Sequence, residues 1–146
     1  VDVGGWDTHV DQGGATGNLA NRLDELGRGL ATFAEELGPE AWRSTVVAVI
    51  SEFGRTFREN GNKGTDHGHG TVYWFLGGGL AAQSAGKVAG EQFEITEKRL
   101  FQNRDYPVLN EYRSLLGGLF AQMYGLSPAQ VARIFPETSP GRLRLV

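Results

Sequence analysis

The apolar run Thr45–Ser51, with the sequence TVVAVIS, is the feature that most restricts how this chain can fold. It is rich in β-branched residues and too short for a helix, so it predicts a buried strand. The stretch Ser51–Gly70, SEFGRTFRENGNKGTDHGHG, follows at once and is polar and rich in glycine. Because α/β proteins bind ligands at the carboxyl ends of their strands, this stretch is the first place to expect a functional site.

Two further patterns predict elements that accompany this strand. Leucine and phenylalanine recur every three or four residues from Asn18 to Leu37, which predicts an amphipathic helix that covers a sheet. Asn18 is its expected cap, and Gly38-Pro39 is its expected end. Residues 71–76, TVYWFL, predict a second strand.

The remaining segments complete an α/β pattern. Two more helices are expected at Leu109–Tyr124, with Gly125 as the C-terminal cap, and from Ser127 to Ile134. Short strands are expected at Val1–Val3 and as a hairpin within residues 87–95. Helices that alternate with strands in this way predict the α/β fold class.

Composition limits the classes of function. The chain has 146 residues, 40% of them hydrophobic and 21% charged, as expected for a single globular domain over residues 1–146. A formal net charge of -3 gives no basic surface for nucleic acid, and no apolar segment approaches a membrane span. The chain has no cysteine, so any metal must be held by histidine, carboxylate or amide side chains.

Asp and His residues of two loops are the candidate metal ligands. Asp7 and His9 are two residues apart, so in an extended backbone both side chains leave from the same face. Asp66, His67 and His69 lie among glycines that allow a bent loop. Imidazole with carboxylate suits zinc, manganese or iron, whereas carboxylate-rich subsets suit calcium or magnesium.

Glu52 and Arg55 are the candidate catalytic residues. Glu52 directly follows the strand predicted at Thr45–Ser51. A carboxylate at the end of a strand serves as a ligand, a general base or an ordinary surface residue. Arg55 either clamps an anionic oxygen or forms an ion pair with Glu52 or Asp66.

Four segments also resemble, in their order along the chain, the signatures of one bacterial protein family. They are GGWDTH at residues 4–9, SEFGRT at 51–56, NGNKGTDHG at 60–68 and EYRSLL at 111–116. Together they resemble domain-of-unknown-function family 1501, which is grouped with the alkaline-phosphatase and sulfatase superfamily. The chain departs from the Asp-His-Gly motif of that superfamily at Glu52-Phe53, and Asp66-His67-Gly68 is the alternative match to the motif.

The resemblance implies a large three-layer α/β sandwich, of which this chain forms the C-terminal part of the sheet with its covering helices. It also implies that strand-end Asp and His residues hold one or two divalent cations, which bind a phosphate or sulfate ester for attack by a Ser, Thr or formylglycine nucleophile. Asp7 and His9 then belong to one metal-binding loop, and Asp66, His67 and His69 to another.

The resemblance places the nucleophile in an N-terminal half of the same protein and implies export to the periplasm or the cell exterior. We therefore expect the C-terminal part of a metal-dependent hydrolase that acts on small anionic esters. An exposed sheet edge and apolar surface favour pairing with the N-terminal half or with a second copy of the chain. The alternative is a protein that keeps the fold without catalysis and binds carbohydrate, a cell-surface partner or a structural cation.

Overall fold

The computed structural model describes residues 1–146, which form three α-helices and two antiparallel two-stranded sheets. In chain order the elements are α1 (Asn18–Trp42), β1 (Val47–Val49), β2 (Gly54–Arg55), β3 (His67–Gly68), β4 (Trp74–Leu76), α2 (Tyr112–Tyr124) and α3 (Pro128–Ile134), with short 3-10 helices at Ala82–Ser84 and Glu97–Arg99. The predicted α/β class is therefore confirmed. The three-layer sandwich stays a prediction.

Helix α1 follows the predicted pattern but is longer than expected. Gly38 has φ 76 and ψ 164, which is not helical, and the chain then resumes the helix at Pro39 and continues to Trp42. Proline fits there because the first turn of a helix needs no donor from its nitrogen. The expected end at Gly38-Pro39 is thus a kink. The predicted cap was also wrong, because the cap position is Gly17, without a side-chain hydrogen bond.

The two sheets are short. Strand β1 pairs with β4, Val47 opposite Leu76 and Val49 opposite Trp74, which confirms both predicted strands within narrower bounds. The prediction that the first of them is buried was wrong, because Val47 and Val49 are half-buried and Ala48 is exposed. Strand β2 pairs with β3 and places Arg55 opposite His67. The strand expected at Val1–Val3 and the hairpin expected within residues 87–95 are wrong, since both segments are irregular.

The second and third helices pack against each other and contain Leu119 and Val131, two of the four buried apolar side chains. The side chain of Glu111 accepts a hydrogen bond from the backbone of Ser114 at the start of α2, and Gly125 ends α2 in the left-handed conformation, as predicted. Ser127 starts α3 with a capping box. These local signals explain why α3 and the end of α2 lie where the sequence predicts them, although α2 begins at Tyr112 instead of Leu109.

The apolar core is small. Eleven residues are buried, and the buried apolar side chains are Leu100, Leu119, Val131 and Leu145. The accessible surface is 10143 Å², whereas a compact monomer of this length has about 7,300 Å². Much apolar surface therefore remains exposed, including Leu23 and Phe33 of α1 at 40% and 47% exposure.

Helix α1 contributes most clearly to this exposed surface. None of its residues is buried, and it packs against no other helix or strand. The prediction that it covers a sheet was therefore wrong for this chain. None of the helices combines the length and the apolar character needed to cross a bilayer.

Candidate metal centre

The backbone of the first loop, which precedes α1 and contains Asp7 to Gln12, lies against the loop between β2 and β3. Asp11 and Gln12 donate backbone hydrogen bonds to the carbonyl groups of Asn62 and Lys63, at 3.0 and 2.8 Å. Thr65 donates to the carbonyl group of Thr8 at 3.2 Å. These bonds bring together residues that are more than fifty positions apart in the chain.

Gly64 makes this close approach feasible. A Cβ atom at residue 64 would lie 2.3 Å from the carbonyl carbon and oxygen of His9 and 2.5 Å from the oxygen of Thr8. Real Cβ atoms do not come so close to other atoms, so a side chain here would push the two loops apart.

Two amide side chains tie the loops further. The Oε1 atom of Gln12 accepts hydrogen bonds from the hydroxyl groups of Thr8 and Thr65, at 2.7 and 2.6 Å. Asn60 donates to the carbonyl oxygen of His9 at 3.0 Å and accepts from the backbone of Asn62 and Gly64. Each amide side chain thus forms hydrogen bonds with residues of both loops.

Asp7, His9 and His67 converge at this junction, and we call these three residues the ligand group. The Oδ1 atom of Asp7 lies 3.0 Å from Nε2 of His9 and 2.8 Å from Nε2 of His67. One ligand atom from each of the three residues lies within 4.8 Å of the others. Four-coordinate zinc, with bonds near 2.1 Å, holds its ligand atoms about 3.4 Å apart. The two distances from Asp7 are shorter than this, so its carboxylate and the two imidazole rings would have to move apart to hold one divalent cation.

Neighbouring side chains hold the two imidazole rings. The Nδ1 atom of His9 is 2.9 Å from Oδ1 of Asp66, which leaves Nε2 directed at Asp7. Asn60 donates to the same oxygen of Asp66 at 2.9 Å. The ring of His67 stacks on Phe53 with 4.0 Å between the ring centroids. A carboxylate that fixes the second nitrogen of a ligating histidine is a common feature of metal sites.

Arg55 joins the ligand group through Asp7. Its Nη1 donates to Oδ1 of Asp7, its Nε donates to the hydroxyl group of Thr65 at 2.9 Å, and its Nη2 donates to the carbonyl oxygen of Thr65. Of the alternatives open from the sequence, the structure shows an ion pair, but with Asp7 instead of Glu52 or Asp66.

These contacts keep both carboxyl groups ionised. The hydrogen bond from Arg55, followed by that with His67, lowers the pKa of Asp7 from its ordinary value. The hydrogen bond from Asn60, followed by that with His9, lowers the pKa of Asp66. Hydrogen bonds to a carboxylate favour its charged form. Both groups are therefore negatively charged at neutral pH and available to a cation or its ligands.

His69 lies outside the ligand group. Its Nδ1 is 2.6 Å from Oδ2 of Asp105, a fully buried carboxylate that also accepts two hydrogen bonds from Arg104, at 2.7 and 3.0 Å. The ring meets Phe101 edge to face. Among the expected metal ligands, Asp7, His9 and His67 therefore come together, Asp66 lies next to them, and His69 pairs elsewhere.

Glu52 is also separate from the ligand group. Its side chain is exposed, and the carboxylate of the group belongs to Asp7. Glu52 lies between β1, which ends at Val49, and β2, which begins at Gly54, so it does not directly follow the strand as predicted. The polar contacts begin at Arg55.

Three of the four sequence motifs, at residues 4–9, 51–56 and 60–68, meet at this junction, whereas the motif at residues 111–116 forms the start of α2. The sequence model of the family described as protein of unknown function, DUF1501, matches residues 1–135. The chain belongs to the DUF1501 family. Comparisons of this DUF1501 chain with curated proteins and with solved structures found no significant match.

Sequence reasoning missed three residues that hold the two loops and the histidine side chains of this DUF1501 chain. Asn60, Gln12 and Asp105 were not singled out, yet they hold the loops, His9 and His69. A local signal existed for Asn60, because asparagine before glycine favours a turn in which its side chain accepts from the backbone two residues later. The roles of Gln12 and Asp105 depend on residues distant in sequence.

Proposed function

We propose that this chain is part of a metal-dependent hydrolase that acts on phosphate or sulfate esters. The observation that carries the proposal is the convergence of Asp7, His9 and His67, from two separate loops, with ligand atoms close enough to share one cation. The resemblance to the alkaline-phosphatase and sulfatase superfamily supports the reaction class, and the larger three-layer sandwich belongs to the same proposal.

The roles of the residues follow from their contacts. Asp7, His9 and His67 bind the cation, and Asp66 holds the ring of His9 through Nδ1. A bound zinc or manganese ion supplies Lewis acidity, which stabilises negative charge on the ester group. Arg55 positions the carboxylate of Asp7, since its Nη1 donates to that group. Glu52 stays a candidate general base.

We also propose that an N-terminal part of the same protein supplies the nucleophile and packs against the exposed apolar surface. The support is the unburied apolar side of α1 and the excess of accessible surface over that of a compact monomer. Export of the protein is a proposal that rests on the resemblance. If the purified chain is monomeric by light scattering and binds no apolar dye, the proposed packing of another part of the protein against this surface is rejected.

A scaffold without catalysis is the second candidate, and one observation favours it. The guanidinium group of Arg55 already offsets the charge of Asp7, so the two loops hold together through an ion pair. In that case the junction needs no cation for its structure.

Metal titration tests the metal centre, which the hydrolase requires and a scaffold held by the ion pair alone does not. We expect the purified chain to bind zinc or manganese in isothermal calorimetry, and His67→Ala to weaken that binding at least about tenfold. His69→Ala is the matched control, because its imidazole pairs with Asp105 outside the ligand group. A wild-type chain that binds neither ion, or equal affinities for the wild type and His67→Ala, would reject the metal centre.

A further inference from the structure

A cavity adjoins the ligand group on the side of α1. Its volume is about 330 Å³, and it lies between the loop Gly5–Val10 and the first turns of α1, which contribute Asn18 and Arg22. Small-molecule sites have volumes of about 300 to 1,000 Å³. Asp7 and His9 belong both to the wall of this cavity and to the ligand group. A molecule in the cavity would therefore reach a cation in that group.

The wall of the cavity is polar. Val10 is its one hydrophobic residue, and the others are glycine, threonine, asparagine or ionisable residues. Such a wall offers little apolar contact to an aromatic or long aliphatic group. The cavity thus fits a small, polar ligand.

Arg22 supplies the cationic side of the cavity. A Cβ atom at Gly5 would lie 2.8 Å from Nε of Arg22, so the absence of a side chain at residue 5 makes room for the guanidinium group. Arg22 forms one ion pair, from Nη1 to Glu25 at 2.7 Å, and both side chains are substantially exposed. A pair of this kind, three residues apart on a helix, contributes little free energy and can be replaced by another anion.

Arg55, the other arginine near the ligand group, is already engaged. All three of its nitrogen atoms donate to Asp7 or Thr65. In Arg22, by contrast, Nε and Nη2 have no hydrogen-bond partner within the chain. Guanidinium groups bind phosphate and carboxylate through paired donors of this type.

We propose that Arg22 binds the anionic group of a small, polar phosphate or sulfate ester in this cavity. The inference rests on the proposed function, because it places the ester between Arg22 and a cation held by the ligand group. Arg55 offsets the charge of Asp7, which reduces repulsion between that carboxylate and the anion. Glu25 competes with the ester for Arg22 and so lowers the affinity of the chain for the ester.

Anion titration of variants of the full chain tests the assignment. The probes are inorganic phosphate and inorganic sulfate, added in calorimetry once with zinc and once with a chelator. We expect Arg22→Gln to weaken anion binding about tenfold, and Glu25→Gln to strengthen it severalfold by removing the competing carboxylate. Arg28→Gln is the matched control, because Arg28 pairs with Asp24 at 2.7 Å on the same helix and is not part of the cavity wall. Its affinity for the anions should equal that of the wild type.

The results distinguish this proposal from the proposed function. Equal anion affinities for Arg22→Gln and the wild type, or no anion binding by the wild type, would overturn the role of Arg22 even if zinc binds normally. Failure of zinc to bind rejects the metal centre, and the titrations with chelator still decide whether Arg22 binds the anion. Glycerol phosphate should displace inorganic phosphate better than phenyl phosphate does, and the opposite order would overturn the polar-ligand assignment.

Discussion

Replacing Gly64 with alanine tests whether the metal centre depends on contact between the two loops. The added Cβ atom would lie 2.3 Å from the backbone of His9, whereas ordinary contacts begin at 3.4 Å. The loops must therefore separate by about 1 Å. Because metal–ligand bond lengths vary by only about 0.2 Å, His9 would then lie too far from His67 for the two rings to share a cation.

The expected effects of Gly64→Ala are large enough to measure. Steric overpacking of this kind lowers the free energy of unfolding by about 1–3 kcal/mol. Displacement of His9 and its neighbour Asp7 should weaken zinc binding at least about tenfold. Urea denaturation measures the first effect, and calorimetric titration of the folded variant with zinc measures the second.

Gly61→Ala is the matched control in the same loop. A Cβ atom at residue 61 would meet nothing within 4 Å, and Gly61 does not have a positive φ. We expect this variant to retain the stability and zinc affinity of the wild type. If Gly64→Ala also binds zinc with wild-type affinity, the ligand group does not depend on the approach of the two loops, and the reasoning fails.

Three other perturbations test the packing and the charges. Asp105→Asn removes a buried charge with three hydrogen bonds, so the free energy of unfolding in urea should fall by about 1–3 kcal/mol. The pKa values of Asp7, Asp66 and Asp105 are lowered in the folded chain, so the unfolded chain takes up protons first as the pH falls. The stability that these groups contribute is present at neutral pH, and urea midpoints should fall below about pH 5 as it is lost. Gly118→Ala would place a Cβ atom 2.4 Å from the oxygen of Gly141, so thermal denaturation should show a lower midpoint as the C-terminal segment leaves α2.

Each of these three has an outcome that would contradict it. An unchanged urea midpoint for Asp105→Asn would show that the buried carboxylate adds no net stability. Constant midpoints between about pH 5 and about pH 3 would contradict the linkage to the three carboxyl groups. For the C-terminal segment, a Gly118→Ala midpoint equal to that of the wild type would contradict the predicted clash. Gly27→Ala is its control, because a Cβ atom there meets no neighbour within 4 Å.

The sequence predicted the elements whose signals are local. Ser127 followed by Pro128, and the glycine cap at Gly125, gave the positions of α3 and the end of α2. Such signals act over three or four residues, so they need no knowledge of the rest of the fold. The predicted end of α1 failed because Gly38 and Pro39 also permit a kink followed by more helix.

The sequence also brought together the correct two loops, but it could not assign partners within them. His67 and His69 are two residues apart and both are followed by glycine, yet one faces Asp7 and the other faces Asp105. Their partners lie sixty residues before and thirty-six residues after them. The pattern of residue types near each histidine contains no information on such distant neighbours.

The amino-acid sequence by itself thus determined the family, the α/β class and the two polar loops, because periodicity, capping and motif order are properties of short segments. The tertiary structure decided which side chains form the ligand group, and it added Asn60 and Gln12 as the residues that join the loops. The physical reason is that hydrogen bonds and metal coordination act over about 3 Å, and the path of the backbone determines which distant residues come that close.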